Sequence, residues 1–214
     1  MKPDAPLLKA EGLSYSHTDA LVPLLFDQLS VVLVPGVTFV CGDEGSGKTT
    51  LLQLLAGSLP VKALCGELEI RGVKLAQDQS AYQRQVAWLD PRSTALDPQT
   101  GRQIFAALPH SHPGFDLEAL QAHIGGLSLA PHLDKALYMM SSGTRRKVLL
   151  AAALAALAPV TLLDQPFMAL DRPSIDYLLE VLNEAAHHPS RVWVVADYEA
   201  PLGVPLTAVI TLGV

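Results

Sequence analysis

Residues 42–49 combine glycines, a lysine and a hydroxyl at a spacing that can hold phosphate groups. They fit the pattern G-x-x-x-x-G-K-[ST] with Gly42, Asp43, Glu44, Gly45, Ser46, Gly47, Lys48 and Thr49. The glycines let several backbone N–H groups turn inward onto anionic oxygens. Lys48 can then reach the β and γ phosphates of a nucleotide, and the Thr49 hydroxyl can ligate Mg²⁺ carried by those phosphates. The alternative is a glycine-rich turn with a chance lysine.

The residues on either side of this loop predict the strand and the helix that such a site requires. Residues 37–41 form an apolar run typical of a buried strand, and residues 49–56 have a helical pattern. The positive N-terminal end of that helix, which includes Thr50, would face the phosphates. Because strand, loop and helix follow in this order, we predict nucleotide binding here.

Asp164 predicts the metal-binding half of the same site. It follows the apolar run 160–163, which is typical of a buried strand ending on a carboxylate. Beside a phosphate loop, such a carboxylate can hold Mg²⁺ through water while Thr49 ligates the ion directly. Alone, an aspartate in this position would more often cap a strand end, so the interpretation depends on its pairing with the loop.

The remaining pattern alternates buried strands with helices, which predicts an α/β fold with a parallel centre. Further strands are predicted at 7–16, 26–34, 66–70 (an edge strand), 85–89, 192–196 and 208–212, and a loop at 19–23. Residues 100–138 have a helical pattern, which we expect to break at Pro109, Pro113, Gly125-Gly126 and Pro131. Longer helices are expected at 141–158, which opens on a Ser-Ser-Gly-Thr cap, and at 171–186. We expect one domain over residues 1–214 with an inserted helical subdomain at about residues 90–145.

Composition excludes several classes of protein. Half of the residues are hydrophobic and 17% are charged, so the chain can build a dense core. The net charge of −6 and the absence of a Lys/Arg block longer than residues 145–147 argue against a nucleic-acid surface. Residues 1–11 carry charges and prolines where a signal peptide is apolar, and the apolar run 148–158 is too short to span a bilayer. Two cysteines provide no disulfide framework, which favours a reducing cytoplasm.

The order of these motifs resembles the ATP-binding cassette (ABC) ATPases, the motor subunits of ABC transporters, over nearly the whole chain. Tyr15 matches the aromatic residue that stacks on adenine in that family. Residues 141–145, Ser-Ser-Gly-Thr-Arg, occupy the place of the family signature, and residues 167–171 resemble its D-loop. The resemblance implies that Ser141 and Gly143 contact the γ-phosphate of ATP held by another subunit. Residues 82–89 and 162–171 are most similar to the small haem-exporter (cytochrome c maturation) type.

Several positions depart from the family pattern. Gln165 stands where a glutamate polarises the attacking water, Asp90 where a glutamine follows a strand, and Asp197 where a switch histidine is usual. Glutamine cannot accept a proton, so general-base help worth roughly 10²–10⁴-fold is at risk. Asp197 would repel the γ-phosphate, whereas Asp90 could still ligate Mg²⁺. We therefore expect ATP and Mg²⁺ binding with weak hydrolysis, for which Gln165 and Asp197 are the catalytic positions in question.

Three classes of function follow from this resemblance, and a P-loop kinase is disfavoured because the signature and Asp171 would have no role in one. The first is an ATP-binding subunit that forms a homo- or heterodimer with an ABC ATPase chain and couples to a membrane permease. It would be cytoplasmic and reach the membrane through that partner. The second is a regulatory module that closes on ATP and scarcely hydrolyses it. The third is an ABC protein that acts on ribosomes or DNA, which the acidic charge disfavours.

Overall fold

The computed structural model describes residues 6–16, 25–60 and 64–213, and these residues build two sheets with helices between and around them. The strands are β1 (Leu8–Tyr15), β2 (Phe26–Leu33), β3 (Gly36–Cys41), β4 (Leu64–Ile70), β5 (Val73–Lys74), β6 (Val86–Trp88), β7 (Val160–Asp164), β8 (Val192–Ala196) and β9 (Ala208–Thr211). The helices are α1 (Lys48–Leu55), α2 (Gln79–Gln83), α3 (Gly101–Ser111), α4 (Leu117–Gly126), α5 (Ser142–Ala155) and α6 (Arg172–Ala186). The predicted α/β class with antiparallel N-terminal strands is confirmed.

The parallel sheet has the strand order β6-β7-β8-β3-β9, and it determines where the site can lie. Every residue of β7 and β8 is buried, as expected for strands covered on both faces. Their parallel registers place the carboxyl ends of β3, β7 and β8 on the same side of the sheet. The phosphate loop begins at the carboxyl end of β3, and Asp164 is the last residue of β7 beside it. Ligands of open α/β sheets bind at such carboxyl ends.

Hydrophobic clusters fill both faces of the parallel sheet. One cluster joins the sheet to α3, α4, α5 and α6, and the other joins it to α1 and the antiparallel sheet. Along β8, Trp193 and Val195 enter the first cluster, whereas Val192, Val194 and Ala196 enter the second. This alternation is the two-residue period of a strand. The side chains on the second face pack against α1 and fix it on the sheet.

The antiparallel sheet corrects one prediction. Its order is β2-β1-β4-β5, so the strand containing residues 66–70 is internal and not an edge strand. The edge is β5, a strand of two residues that pairs with β4 across the turn at Arg71 and Gly72. A strand this short has no periodicity that a sequence pattern could reveal. The loop predicted at 19–23 lies outside the described residues.

The helical region between β6 and β7 corrects a second prediction, because α3 continues through Pro109. Proline lacks one N–H donor, but here it lies close to the helix end. The helical hydrogen bonds resume beyond the proline, since the His112 N–H donates to the Leu108 carbonyl at 2.9 Å. After α4, short 3₁₀ turns at Ala130–His132 and Leu137–Met139 lead into α5. Among the described residues no helix combines the length and apolarity that crossing a membrane requires.

Candidate nucleotide site

The predicted phosphate loop turns sharply between β3 and α1, and its glycines are needed for close approach. A Cβ on Gly42 would lie 2.5 Å from Ser46 Oγ and 2.7 Å from the Leu212 carbonyl oxygen. Gly47 is the N-cap of α1 with a φ of 96°, and a Cβ there would lie 2.9 Å from Phe26 Cζ. Side chains at these two positions would therefore open the loop.

The loop forms the wall of a cavity of about 720 Å³. Residues 44–50 line it, which places Glu44, Gly45, Ser46, Gly47, Lys48, Thr49 and Thr50 together at one cavity. Ser46 Oγ is buried and has no hydrogen-bond partner among the described residues. A buried hydroxyl without a partner is costly, so this atom fits contact with a ligand oxygen.

Lys48 is held inside this loop. Its side chain is 6% exposed, and Nζ donates to the carbonyl oxygens of Gly42 at 2.5 Å and Asp43 at 2.9 Å. Nζ also lies 4.3 Å from the centroid of the Tyr198 ring, a cation–π contact. The ammonium group is thus positioned by two backbone carbonyls, and Lys48 lines the cavity.

Thr49 and Asp164 meet although they are far apart in the sequence. The Thr49 hydroxyl donates to Asp164 Oδ2 at 2.8 Å. The other carboxylate oxygen, Oδ1, is buried without a described partner. Burial raises the pKa of Asp164, while the Thr49 hydrogen bond and the positive charge of Arg92 oppose that shift. The Thr49 hydroxyl and the Asp164 carboxylate together fit a hard divalent cation, because Mg²⁺ prefers oxygen ligands.

Gln165 follows Asp164 and lines the cavity of the phosphate loop, whereas Asp164 is not among the residues that line it. It is 8% exposed and has a φ of 45°, in the left-handed region that side chains rarely occupy. Its N–H donates to the Ala196 carbonyl at 2.7 Å, and its carbonyl accepts from Arg146 Nη1 at 2.6 Å. Arg146 Nη1 also donates to the Asp164 carbonyl at 3.0 Å, so one arginine fixes the backbone of both residues.

The other two departures from the family pattern are positioned differently from each other. Asp90 lines the cavity, where its carboxylate accepts from Gln53 Nε2 at 3.2 Å and from the Arg92 N–H at 2.9 Å. Asp197 lines a neighbouring groove, and its Oδ1 accepts from the Tyr198 N–H at 2.8 Å. Burial raises the pKa of Asp197, Asp164 raises it further, and the Tyr198 N–H lowers it. Asp197 is therefore within the electrostatic reach of the cavity but does not line it.

Several lining residues were not predicted. They are Leu25, Gln53, Arg92, Met168 and Tyr198. Gln53 had a signal, since it lies four residues after Thr49 and so on the same helix face. Arg92 and Tyr198 follow Asp90 and Asp197 closely, but no motif in the sequence marks them.

Tyr15 is placed at the end of β1 and is 7% exposed, packed within the cluster around α1. It is not among the residues that line the cavity, whereas Leu25, beside its register partner Phe26, is. The structure therefore brings the end of β1 near the loop without showing a free aromatic face. Adenine stacking by Tyr15 stays a prediction.

The predicted signature residues lie at the start of α5 and do not line this cavity. Ser141 is the exposed N-cap, and its Oγ accepts from the Thr144 N–H at 3.1 Å. A Cβ on Gly143 would lie 2.3 Å from the Ala169 carbonyl oxygen. Gly143 is thus required for contact with the loop after β7 in its own chain, whatever else it contacts.

Comparison with known proteins agrees with this geometry. Residues 26–168 match the ABC transporter family. The cytochrome c biogenesis ATP-binding export protein CcmA of Pseudomonas putida is 33% identical over 156 residues, covering 72% of this chain and 73% of that protein. The protein of the same name from Paramagnetospirillum magneticum is 34% identical over 173 residues, covering 79% of this chain and 78% of its own length.

Solved structures show the same fold at lower identity. The ATP-binding subunit of an ABC transporter superposes with a TM-score of 0.75 at 21% identity, covering 89% of this chain and 79% of that one. An ATP-binding cassette solved as a dimer in a post-hydrolysis state with ADP and phosphate gives 0.71 at 19% identity, covering 90% and 88%. The family match covers most of the chain and includes the loop, Thr49 and Asp164. This chain therefore belongs to the ABC transporter family, as an ATP-binding subunit.

Proposed function

We propose that this chain binds Mg-ATP in the cavity of the phosphate loop, pairs with a second ABC ATPase chain and drives a membrane permease. The observation that carries the proposal is the pairing of Thr49 with Asp164, which leaves Asp164 Oδ1 unpartnered beside the loop. Lys48 and the backbone N–H groups of the loop would hold the phosphates, and Thr49 and Asp164 would hold the Mg²⁺ that accompanies them. Asp90 faces the same cavity and is a further candidate ligand.

The identity to CcmA proteins supports a role in export during cytochrome c biogenesis. This chain covers 73% and 78% of the length of these two relatives. The permease that it drives and the molecule that this permease exports would therefore serve cytochrome c biogenesis. Co-purification with a polytopic membrane protein encoded beside this chain would test the assignment. Purification of the chain with ribosomes or nucleic acid instead would contradict it.

Hydrolysis at this chain's own site is proposed to be slow. Gln165 lines the cavity and can hydrogen-bond a water molecule, but its amide cannot accept a proton. Asp197 adds negative charge next to Lys48 and Asp164 without lining the cavity. A regulatory module that closes on ATP and scarcely turns it over is the second candidate, favoured by the same two residues.

Calorimetry with ATP and Mg²⁺ tests the binding half of the proposal. Lys48→Ala removes the buried ammonium, and charge-assisted hydrogen bonds are worth about 1.5–3 kcal/mol, so affinity should fall roughly ten- to a hundredfold. Lys135→Ala removes an exposed lysine of the helical region and serves as the matched control. Equal ATP affinity in wild type and Lys48→Ala would refute the assignment of the site.

A further inference from the structure

A second cavity, with a basic lining, lies at the amino ends of the strands of the parallel sheet, opposite the phosphate loop. Its volume is about 500 Å³. Gln85, Pro159 and Arg191 line it, and each immediately precedes a strand of the sheet, β6, β7 and β8 respectively. The phosphate loop leaves the carboxyl ends of the same sheet. The two cavities are therefore separated by the length of β7 and β8.

Three arginines and one histidine supply the polar side of this amino-end cavity. Arg71 comes from the turn between β4 and β5, Arg84 from the end of α2, Arg191 from the start of β8, and His112 from the end of α3. No aspartate or glutamate is among its lining residues, all of which belong to the described part of the chain. In a protein with a net charge of −6, these three arginines form a local concentration of positive charge, while burial lowers the pKa of His112 and favours its neutral form.

The structure accounts for only part of the hydrogen-bonding capacity of these side chains. Arg71 Nη2 donates to the Ser190 carbonyl at 2.7 Å, and Arg191 Nε donates to the Ala158 carbonyl at 3.0 Å. Neither arginine, nor Arg84, forms a salt bridge with any residue in 6–16, 25–60 or 64–213. The fork of each guanidinium thus keeps donors that backbone carbonyls do not use.

Two buried atoms at this cavity have no partner within the described chain. They are Arg191 Nη2 and His112 Nδ1. The Arg191 guanidinium also stacks over the Trp193 ring, with Cζ 4.5 Å from the ring centroid. Burial lowers the pKa of Arg191 to about 10, with no carboxylate opposing that shift. The buried, unpaired Nη2 donor of Arg191 is unfavourable, and a bound anion would relieve that cost.

We propose that this amino-end cavity binds a phosphate group, with Arg84 and Arg191 as its principal ligands. A phosphate dianion suits the site better than a single carboxylate, because it matches several positive charges and presents three oxygens to the planar forks. A cavity of this volume has the size of a small-molecule site. Since Arg71 belongs to the antiparallel sheet and His112 to the helical region, the ligand would contact three parts of the molecule.

Titration calorimetry with inorganic pyrophosphate tests the proposal. Every protein carries Lys48→Ala, so that binding at the phosphate loop is weakened equally in all of them. Arg84→Ala is the principal variant, because the Arg84 side chain makes no hydrogen bond with a described residue and its loss should not disturb folding. Arg102→Ala is the matched control, since Arg102 is an exposed arginine paired with Asp134 outside both cavities. Arg191→Lys keeps the charge but removes the fork.

We expect Arg84→Ala and Arg191→Lys to weaken pyrophosphate binding about tenfold or more, and Arg102→Ala to leave it unchanged. Sedimentation with phosphatidylglycerol–phosphatidylcholine vesicles separates a soluble ligand from a lipid headgroup. Pyrophosphate binding without sedimentation assigns the cavity to a soluble phosphate compound. Sedimentation that Arg84→Ala abolishes assigns it to a headgroup. If neither probe binds in a manner that depends on Arg84 or Arg191, the proposal is wrong.

Discussion

Replacing Gln165 with glutamate adds one carboxylate to the wall of the phosphate cavity. The position is 8% exposed and follows Asp164 directly, with Asp197 on the neighbouring strand end. Burial and two nearby anions would raise the pKa of the new carboxylate above the usual value of about 4.3. A base whose pKa moves towards neutral pH is well matched to proton abstraction from water.

The size of the effect follows from the chemistry that glutamine lacks. General-base catalysis contributes roughly 10²–10⁴-fold, which lowers the barrier by about 3–5 kcal/mol. We expect Gln165→Glu to raise steady-state ATP turnover by at least about tenfold. The double change Gln165→Glu with Asp197→His should raise it further, because it also removes an anion close to Lys48.

The assay compares turnover of the wild type and both variants with Mg-ATP at saturating concentration. Gln103→Glu is the matched control, since it makes the same chemical change in the capping box of α3, where glutamate also serves as a cap. It should leave turnover unchanged. A brisk wild-type rate that neither change at Gln165 improves would show that another residue activates the water.

The same substitution has a stability signature that is independent of turnover. Because the folded-state pKa of the new carboxylate is raised, its ionisation opposes folding. The variant should match the wild type below about pH 4 and lose stability relative to it as the pH rises through that folded-state pKa. Thermal unfolding at pH 5 and pH 8 measures the difference, and an equal difference at both values would contradict a buried carboxylate.

Further predictions concern Tyr15, Gly143 and His123. If Tyr15 stacks on adenine, Tyr15→Ala should weaken ATP binding by roughly 1–3 kcal/mol and leave tripolyphosphate binding unchanged, whereas equal losses for both ligands would indicate a packing role. Gly143→Ala should lower the melting temperature because its Cβ would meet the Ala169 carbonyl at 2.3 Å, whereas Gly125→Ala, with open space in α4, should stabilise by about 0.5–1 kcal/mol. Burial, with a smaller contribution from Arg191, lowers the pKa of His123 to about 4. The free energy of unfolding measured in urea should therefore fall by about 2 kcal/mol from pH 7.5 to pH 5, and His123→Gln should reduce that dependence.

Strands that are buried on both faces were the most predictable part of the fold. The structure has β7 and β8 at the predicted residues, because an apolar run enclosed by sheet and helices ends where the chain emerges from them. The phosphate loop and Asp164 were also predictable, since one is a motif of local spacing and the other ends such a strand. The two-residue strand β5 carries no such signal.

Contacts between distant segments could not be predicted from a pattern. Arg92 and Tyr198 line the cavity because the carboxyl ends of β6 and β8 lie on the same side of the sheet. Gly143 was interpreted as part of a signature directed at another subunit, yet the structure gives it a contact with Ala169 in its own chain. The sequence shows residue types, whereas close approach between two backbones depends on how the start of α5 packs against the loop that follows β7.

The two cavities occupy opposite ends of the same pair of strands, which constrains how they could influence each other. The five residues of β7 span about 16 Å, from Pro159 at the amino-end cavity to Asp164 at the phosphate loop. Both strands are fully buried, so they are poorly suited to change length or register. Any coupling would therefore have to pass through segments outside these strands. Those segments carry Arg71 and His112 at the amino-end cavity and Arg92 at the phosphate-loop cavity. Coupling of binding is reciprocal, so pyrophosphate at the amino-end cavity and ATP at the loop must alter each other's affinity by the same factor. That factor reaches a limit once either site is saturated, whereas an apparent ATP affinity that keeps falling as pyrophosphate rises would show that the two ligands compete for one site.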